Sequence, residues 1–150
     1  MEIIKEHISK EELFSIYSQD DINDILEDVE NYILRKCYKS FYPSMESQED
    51  KEFYNKCLSL SWLTPNHIEI NKKLVKEKLW LIASNCLTKM DTEKTPIEKL
   101  RCVQSAYQIL NNSISFSSNK QTNAGVDDIM PILIYVMIKT KPRRMITNLK

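Results

Sequence analysis

Two adjacent carboxylates, Asp127 and Asp128, stand directly before Ile129 to Ile138, a run in which every residue except Pro131 is apolar or Tyr. A general acid/base pair built on them would need a partner group nearby. The chain holds only two histidines, His7 and His67, and no Ser, Cys or Lys is set beside a candidate base. Four cysteines, Cys37, Cys57, Cys86 and Cys102, lie singly inside apolar-periodic segments without the C-x-x-C pair that zinc or dithiol chemistry uses. They read as small core residues of a reducing compartment. One glycine, Gly125, cannot form a phosphate-cradling loop. Covalent catalysis, a metal and a cofactor all lack a basis in these residues.

The paired acids then need another explanation. If Asp127 capped the following helix, Pro131 would occupy the fourth helical position and remove the first intrahelical bond. With Asp128 as the cap, Pro131 falls where the missing N–H was an orphan anyway. Asp128 is therefore the expected structural carboxylate. Asp127 is left one residue outside the helix, either as a solvated loop acid or as a carboxylate presented to a partner. The helix itself is apolar on all sides and is expected to thread the core. Its end, "KTKPRR", reads as a solvated helix terminus whose bases complement the dipole, with a lipid-facing role for Lys139, Lys141, Arg143 and Arg144 as the other reading.

The elements that must position these residues are nearly all helical. Ile22, Ile25, Leu26, Val29, Ile33, Cys37 and Phe41 form one stripe that Pro43 ends. Ser47 caps a second helix with Phe53, Cys57, Leu60 and Trp62 or Leu63 inward, and Thr64-Pro65 breaks it. A further piece over Asn71 to Met90 carries Leu74, Leu79, Ile82, Ala83, Cys86 and Leu87. "TPIE" is a capping box, Thr95 with Glu98, having Pro96 at the first helical position. From it Leu100, Val103, Tyr107, Leu110 and Ile114 are expected along one face, followed by a polar loop, "SISFSSNKQTNAGV". The first 19 residues hold a weaker pattern, Leu13, Phe14 and Ile16 or Tyr17.

The 21 basic and 21 acidic residues balance, so the totals give no electrostatic footprint for nucleic acid. The N-terminus "MEIIKEHISKEE" is no signal peptide, and the longest apolar run is about half a bilayer span. A soluble, cytosolic, all-α protein of about six to seven helices is expected.

"KTPIEKLRCVQSAYQILNNSI" followed by "GVDDIMPILIYVMIKTKPRRMITNL" resembles the vacuolar protein sorting nine domain, the exchange domain of guanine-nucleotide exchange factors for endosomal Rab GTPases. "VENYILRKCYKSFYP" and "LSLSWLTPNHIEI" are similar to earlier helices of that domain in the same order. The resemblance covers residues 20–150 behind a helical segment 1–19. It implies a layered helical array, peripheral association with endosomes, and a small GTPase of the early-endosomal Rab subfamily as partner. It also implies that the first aspartate of the pair, Asp127, enters the GTPase phosphate site, and that Pro131, and more weakly Tyr135, meet the switch regions. Family members continue past Asn148-Leu149 with a tyrosine-bearing helix, so a C-terminally truncated domain is expected. A helical GTPase-binding or scaffold module without exchange activity is the alternative.

Overall fold

The computed structural model describes residues 3, 4, 6, 7, 11, 16–43, 45–118 and 126–150. Among them the regular structure is helical and contains no strand, as the all-α reading requires. The chain divides into two compact units, Met1–Ser44 and Met45–Lys150. The pattern at Leu13 and Phe14 lies outside the described residues.

The first unit is built on α1, Gln19–Phe41. Ser18 caps it: the Ser18 hydroxyl oxygen accepts from the Asp21 N–H at 3.2 Å, and the Asp21 carboxylate accepts from the Ser18 N–H at 3.0 Å. This reciprocal pair satisfies two donors that every helix start leaves over. The helix stops two residues before Pro43, and the Tyr38 and Tyr42 rings stack across its end at 4.8 Å.

The second unit carries the remaining elements: α2 (Gln48–Ser59), two 3-10 turns (Pro65–Ile68 and Lys72–Leu74), α3 (Glu77–Lys89), α4 (Pro96–Ser118), α5 (Val126–Thr140) and α6 (Met145–Leu149). The two strongest start signals form as expected. Ser47 boxes with Asp50, and Thr95 with Glu98, whose carboxylate accepts from the Thr95 N–H and hydroxyl at 3.2 and 3.0 Å. Helix α4 runs on to Ser118, so the serine-rich stretch expected as loop is helical as far as it is described, and residues 119–125 lie outside the described part.

The face that α4 buries is the expected one at Leu110 and Ile114, with Val103 half-buried, but not at Leu100 and Tyr107. Leu100 and Tyr107 are exposed, and the inward stripe is Lys99, Cys102, Ala106, Leu110, Ser113 and Ile114. Small residues set this phase. Ala83 of α3 and Ala106 of α4 are both fully buried, and α3 with α4 is the most extensive helix pair of the fold. A helix pair buries more by interlocking closely over alanines than by inserting a large side chain at the crossing. Around that crossing Trp80, Leu87, Leu110, Ile114, Ile129, Ile132 and Val136 complete the main core. A second cluster, Met90, Cys102 and Met145, seats the short α6.

Polar groups fix α6 further. Asp50 is fully buried at the start of α2, and its carboxylate accepts the Thr147 N–H at 3.0 Å and the Thr147 hydroxyl. Asn148 donates to Asp91 at 2.8 Å and accepts from the Lys99 ammonium at 2.5 Å. Burial pushes the Asp91 carboxyl above its usual range and holds the Lys99 ammonium below its own. All four cysteines are free, with Cys57 and Cys102 buried.

Candidate functional site

Helix α5 begins at Val126, so both aspartates lie in its first turn and Pro131 sits inside it. This corrects the expectation that Asp128 is the cap and Asp127 stands outside. The reasoning gave the proline too much weight. A proline inside a helix costs about 3 kcal/mol, because the Asp127 carbonyl loses its N–H donor and meets the ring. Ile129, Ile132 and Val136 are each at most 2% exposed. Three such burials are worth roughly 1.5–3 kcal/mol apiece, which outweighs the proline. Both acids now complement the helix dipole to a similar degree.

What separates the two acids is the face each belongs to. Residues three, four and seven beyond Asp127 are Met130, Pro131 and Ile134, of which Met130 is 46% and Ile134 47% exposed, with Pro131 half-buried. The same offsets from Asp128 give Pro131, fully buried Ile132 and half-buried Tyr135. Asp127 therefore heads an open ridge, and Asp128 stands at the edge of the packed side. Both carboxylates are exposed, and among the described residues neither has a hydrogen-bond or ion-pair partner. The expectation of a helix threaded through the core is likewise corrected: α5 lies half at the surface. Met130 and Ile134 were missed as surface residues. The available signal was an all-round apolar helix in a chain with too few helices to enclose it.

Tyr135 is not brought onto this ridge. Each four-residue step turns a helix about 40° past a full circle. Two steps carry Tyr135 toward α3, where its ring lies 5.3 Å from Trp80 at 60°. The Lys139 ammonium stands 5.2 Å over the Tyr135 ring and donates to the Ser61 carbonyl at 2.6 Å. Burial, then the negative charge of Glu77, pushes the Tyr135 phenol up, so it stays neutral at physiological pH. Two of the bases after α5 are also engaged. Arg143 reaches Glu46 at 3.5 Å and lies 5.3 Å over the Tyr54 ring, and Lys150 pairs with Glu49. Helix α5 ends in a left-handed Lys141 at φ 51°, ahead of Pro142.

Among the described residues no three His, Cys, Asp or Glu side chains group in a way that could hold a metal ion. His67 accepts the Thr64 N–H at 3.0 Å through Nδ1, within the 3-10 turn that Thr64 precedes as N-cap. No described helix is long and apolar enough to cross a membrane.

The all-α framework thus presents, at the start of α5, an exposed carboxylate at the head of a partly exposed apolar ridge. Residues 80–150, which hold the core helices and the ridge, match the family model of the vacuolar sorting protein 9 (VPS9) domain. It is 28% identical over 137 residues to the vacuolar protein sorting-associated protein 9A of Oryza sativa subsp. japonica, covering 88% of this chain and 28% of that protein. It is 27% identical over 135 residues to the Homo sapiens Rab5 GDP/GTP exchange factor, covering 86% and 27%. Identity to the receptor-mediated endocytosis protein 6 of Caenorhabditis briggsae is 30% over 128 residues, covering 81% and 12%. The chain thus spans little more than a quarter of the length of the first two.

Proposed function

We propose that residues 20–150 form a guanine-nucleotide exchange domain that accelerates GDP release from a Rab GTPase of the early-endosomal, Rab5 class. The observation that carries the reading is the exposed Asp127 carboxylate, unpaired among the described residues, at the head of the Met130–Pro131–Ile134 ridge. A helix packed along one side against the core through Ile129, Ile132 and Val136 holds it, so little ordering entropy is lost when a partner meets it. The likeness to proteins named as Rab5 exchange factors supports the choice of partner.

The mechanism is competition for charge. A GTPase holds GDP through its phosphate-loop lysine and a magnesium ion. A carboxylate brought to about 4 Å from that lysine, at an effective dielectric near 20, interacts with it by ~4 kcal/mol. Realising ~2.7 kcal/mol of this in the release step speeds GDP loss about a hundredfold. The exchange domain forms and breaks no covalent bond; it stabilises the nucleotide-free partner. In this reading Met130, Pro131 and Ile134 bury against the apolar switch surface, and Tyr135 supports the ridge from its flank. Docking of this kind places the domain at the cytoplasmic face of endosomes as a peripheral component.

The test is release of labelled GDP from a panel of Rab proteins. Acceleration confined to the Rab5 class is expected. Binding without acceleration would replace this reading with that of a helical GTPase-binding module, and the absence of both would end it.

A further inference from the structure

Between the buried Ile70 and Trp80 runs "KKLVKEK", residues 72–78, whose four lysines, Lys72, Lys73, Lys76 and Lys78, are all exposed. We propose that this segment, together with Leu81 and Ile82 of α3, is a docking surface for the anionic face of a phospholipid bilayer. Three observations carry the inference, and it stands without the exchange reading because it needs neither Asp127 nor a GTPase.

The first is charge without a partner. Four lysines against one acid, Glu77, leave a net +3 in seven residues of a chain whose formal net charge is zero. From Ile70 to Met90 Glu77 is the only acid. Among the described residues none of the four ammonium groups has a hydrogen bond or an ion pair, whereas Lys139, Arg143 and Lys150 are engaged. The fold gains nothing from this crowding. Like charges repel within a Debye length, about 8 Å at physiological salt. Lys76 and Lys78 also stand at the start of α3, where the helix dipole disfavours a cation. An anionic surface relieves both strains.

The second is placement. Leu74 and Val75 pack against the main core that holds Ile70 and Trp80, which leaves the lysines of this short segment on its outer side. Seven residues reach at most roughly 21 Å even when fully extended, so the four charges form one patch.

The third is an apolar edge. Leu81 and Ile82 lie three and four residues past Lys78, so the three share a face of α3. They are 63% and 48% exposed, while Trp80, Ala83 and Leu87 make the buried side of the helix. Aliphatic groups beside a basic cluster suit a bilayer: the lysines meet the headgroups, and Leu81 and Ile82 enter the boundary with the acyl chains. The phosphates of a nucleic acid would take up the lysines but offer the two aliphatic side chains no apolar cover.

The test is co-sedimentation of the whole chain with vesicles of phosphatidylcholine, pure or with roughly one-third phosphatidylserine. Binding is expected to the mixed vesicles and not to the pure ones, and it is expected to weaken as salt rises. Each lysine near an anionic surface is worth about fivefold in affinity, so Lys72→Gln with Lys73→Gln is expected to weaken binding at least about tenfold. Lys51→Gln with Lys56→Gln removes the same charge from exposed positions of α2 and is expected to change binding less than about threefold. Leu81→Ser is expected to weaken it about fivefold. All five positions are exposed, so the variants keep the fold. Equal binding to both kinds of vesicle, equal loss in the two lysine pairs, undiminished binding of Leu81→Ser, or tighter binding to a DNA duplex than to the mixed vesicles would overturn the proposal.

Discussion

Replacing Asp50 by alanine removes a group that acts at two distant points of the chain at once. Its carboxylate closes the capping box at the start of α2 and also receives the Thr147 N–H and hydroxyl from α6. Loss of the cap costs about 1 kcal/mol. Each hydrogen bond to a buried charge is worth about 1.5–3 kcal/mol, and the stranded Thr147 donors add to the loss. The expected destabilisation is about 4 kcal/mol or more, enough to unfold much of a domain of ordinary stability. Burial pushes the Asp50 carboxyl up, but its four hydrogen bonds to Thr147 and Ser47 win and hold it at about 2, below the ordinary 3.8. A depressed carboxylate stabilises the fold above its unfolded value, and that contribution is lost as pH falls through the folded value. Wild-type stability should therefore drop by roughly 2 kcal/mol between pH 4 and pH 2 from this group. Asp50→Asn should lack that part of the drop. Urea unfolding of Asp50→Ala, Thr147→Val and the double variant gives the coupling directly. Strict additivity of the two substitutions, or an Asp50→Asn acid profile identical to wild type, would refute the clamp.

Three further outcomes follow from particular sites. Lys141 ends α5 in the left-handed region, where a β-carbon costs about 1 kcal/mol, so Lys141→Gly should raise stability by that amount in thermal unfolding. Ala106→Leu places three extra carbons at the α3–α4 crossing and should cost about 1–3 kcal/mol or more, whereas Leu100→Ala on the exposed face should stay within ~0.5 kcal/mol. Ile134→Glu, on the open side of α5, should leave the unfolding midpoint within error and abolish Rab binding in a pull-down; retained binding would remove the ridge from the docking surface.

The capping boxes were legible because they are local. Thr95 with Glu98 needs only four consecutive residues to announce itself, and Ser47 reads as a cap on its own; both form, with Asp50 completing the box at Ser47. Side-chain size misled the phase of α4, since Leu100 and Tyr107 outrank Ala106 and Ser113 in any hydrophobicity count. What decides the phase is the closeness of α3, a tertiary fact. Helix α5 shows the same limit from the other side. Its uniform apolarity fits a central helix, yet Met130 and Ile134 face outward, and only the surrounding helices can say which side lacks cover. The paired aspartates were singled out from sequence with the wrong local geometry. Asp127 is distinguished by the exposed side it shares with Met130 and Ile134, and its being surplus to capping no longer separates it from Asp128. Tyr135 followed the four-residue spacing on paper and the accumulated turn of the helix in space.

The exchange account rests on one negative charge, so the decisive measurement compares GDP release from a Rab5-class GTPase driven by wild type, Asp127→Ala and Asp128→Ala. Both variants should retain the fold and unfold within ~1 kcal/mol of wild type. Asp127→Ala should lose a hundredfold acceleration or nearly all of it, and Asp128→Ala should keep most. Undiminished release with Asp127→Ala, or equal loss in both variants, would contradict the account.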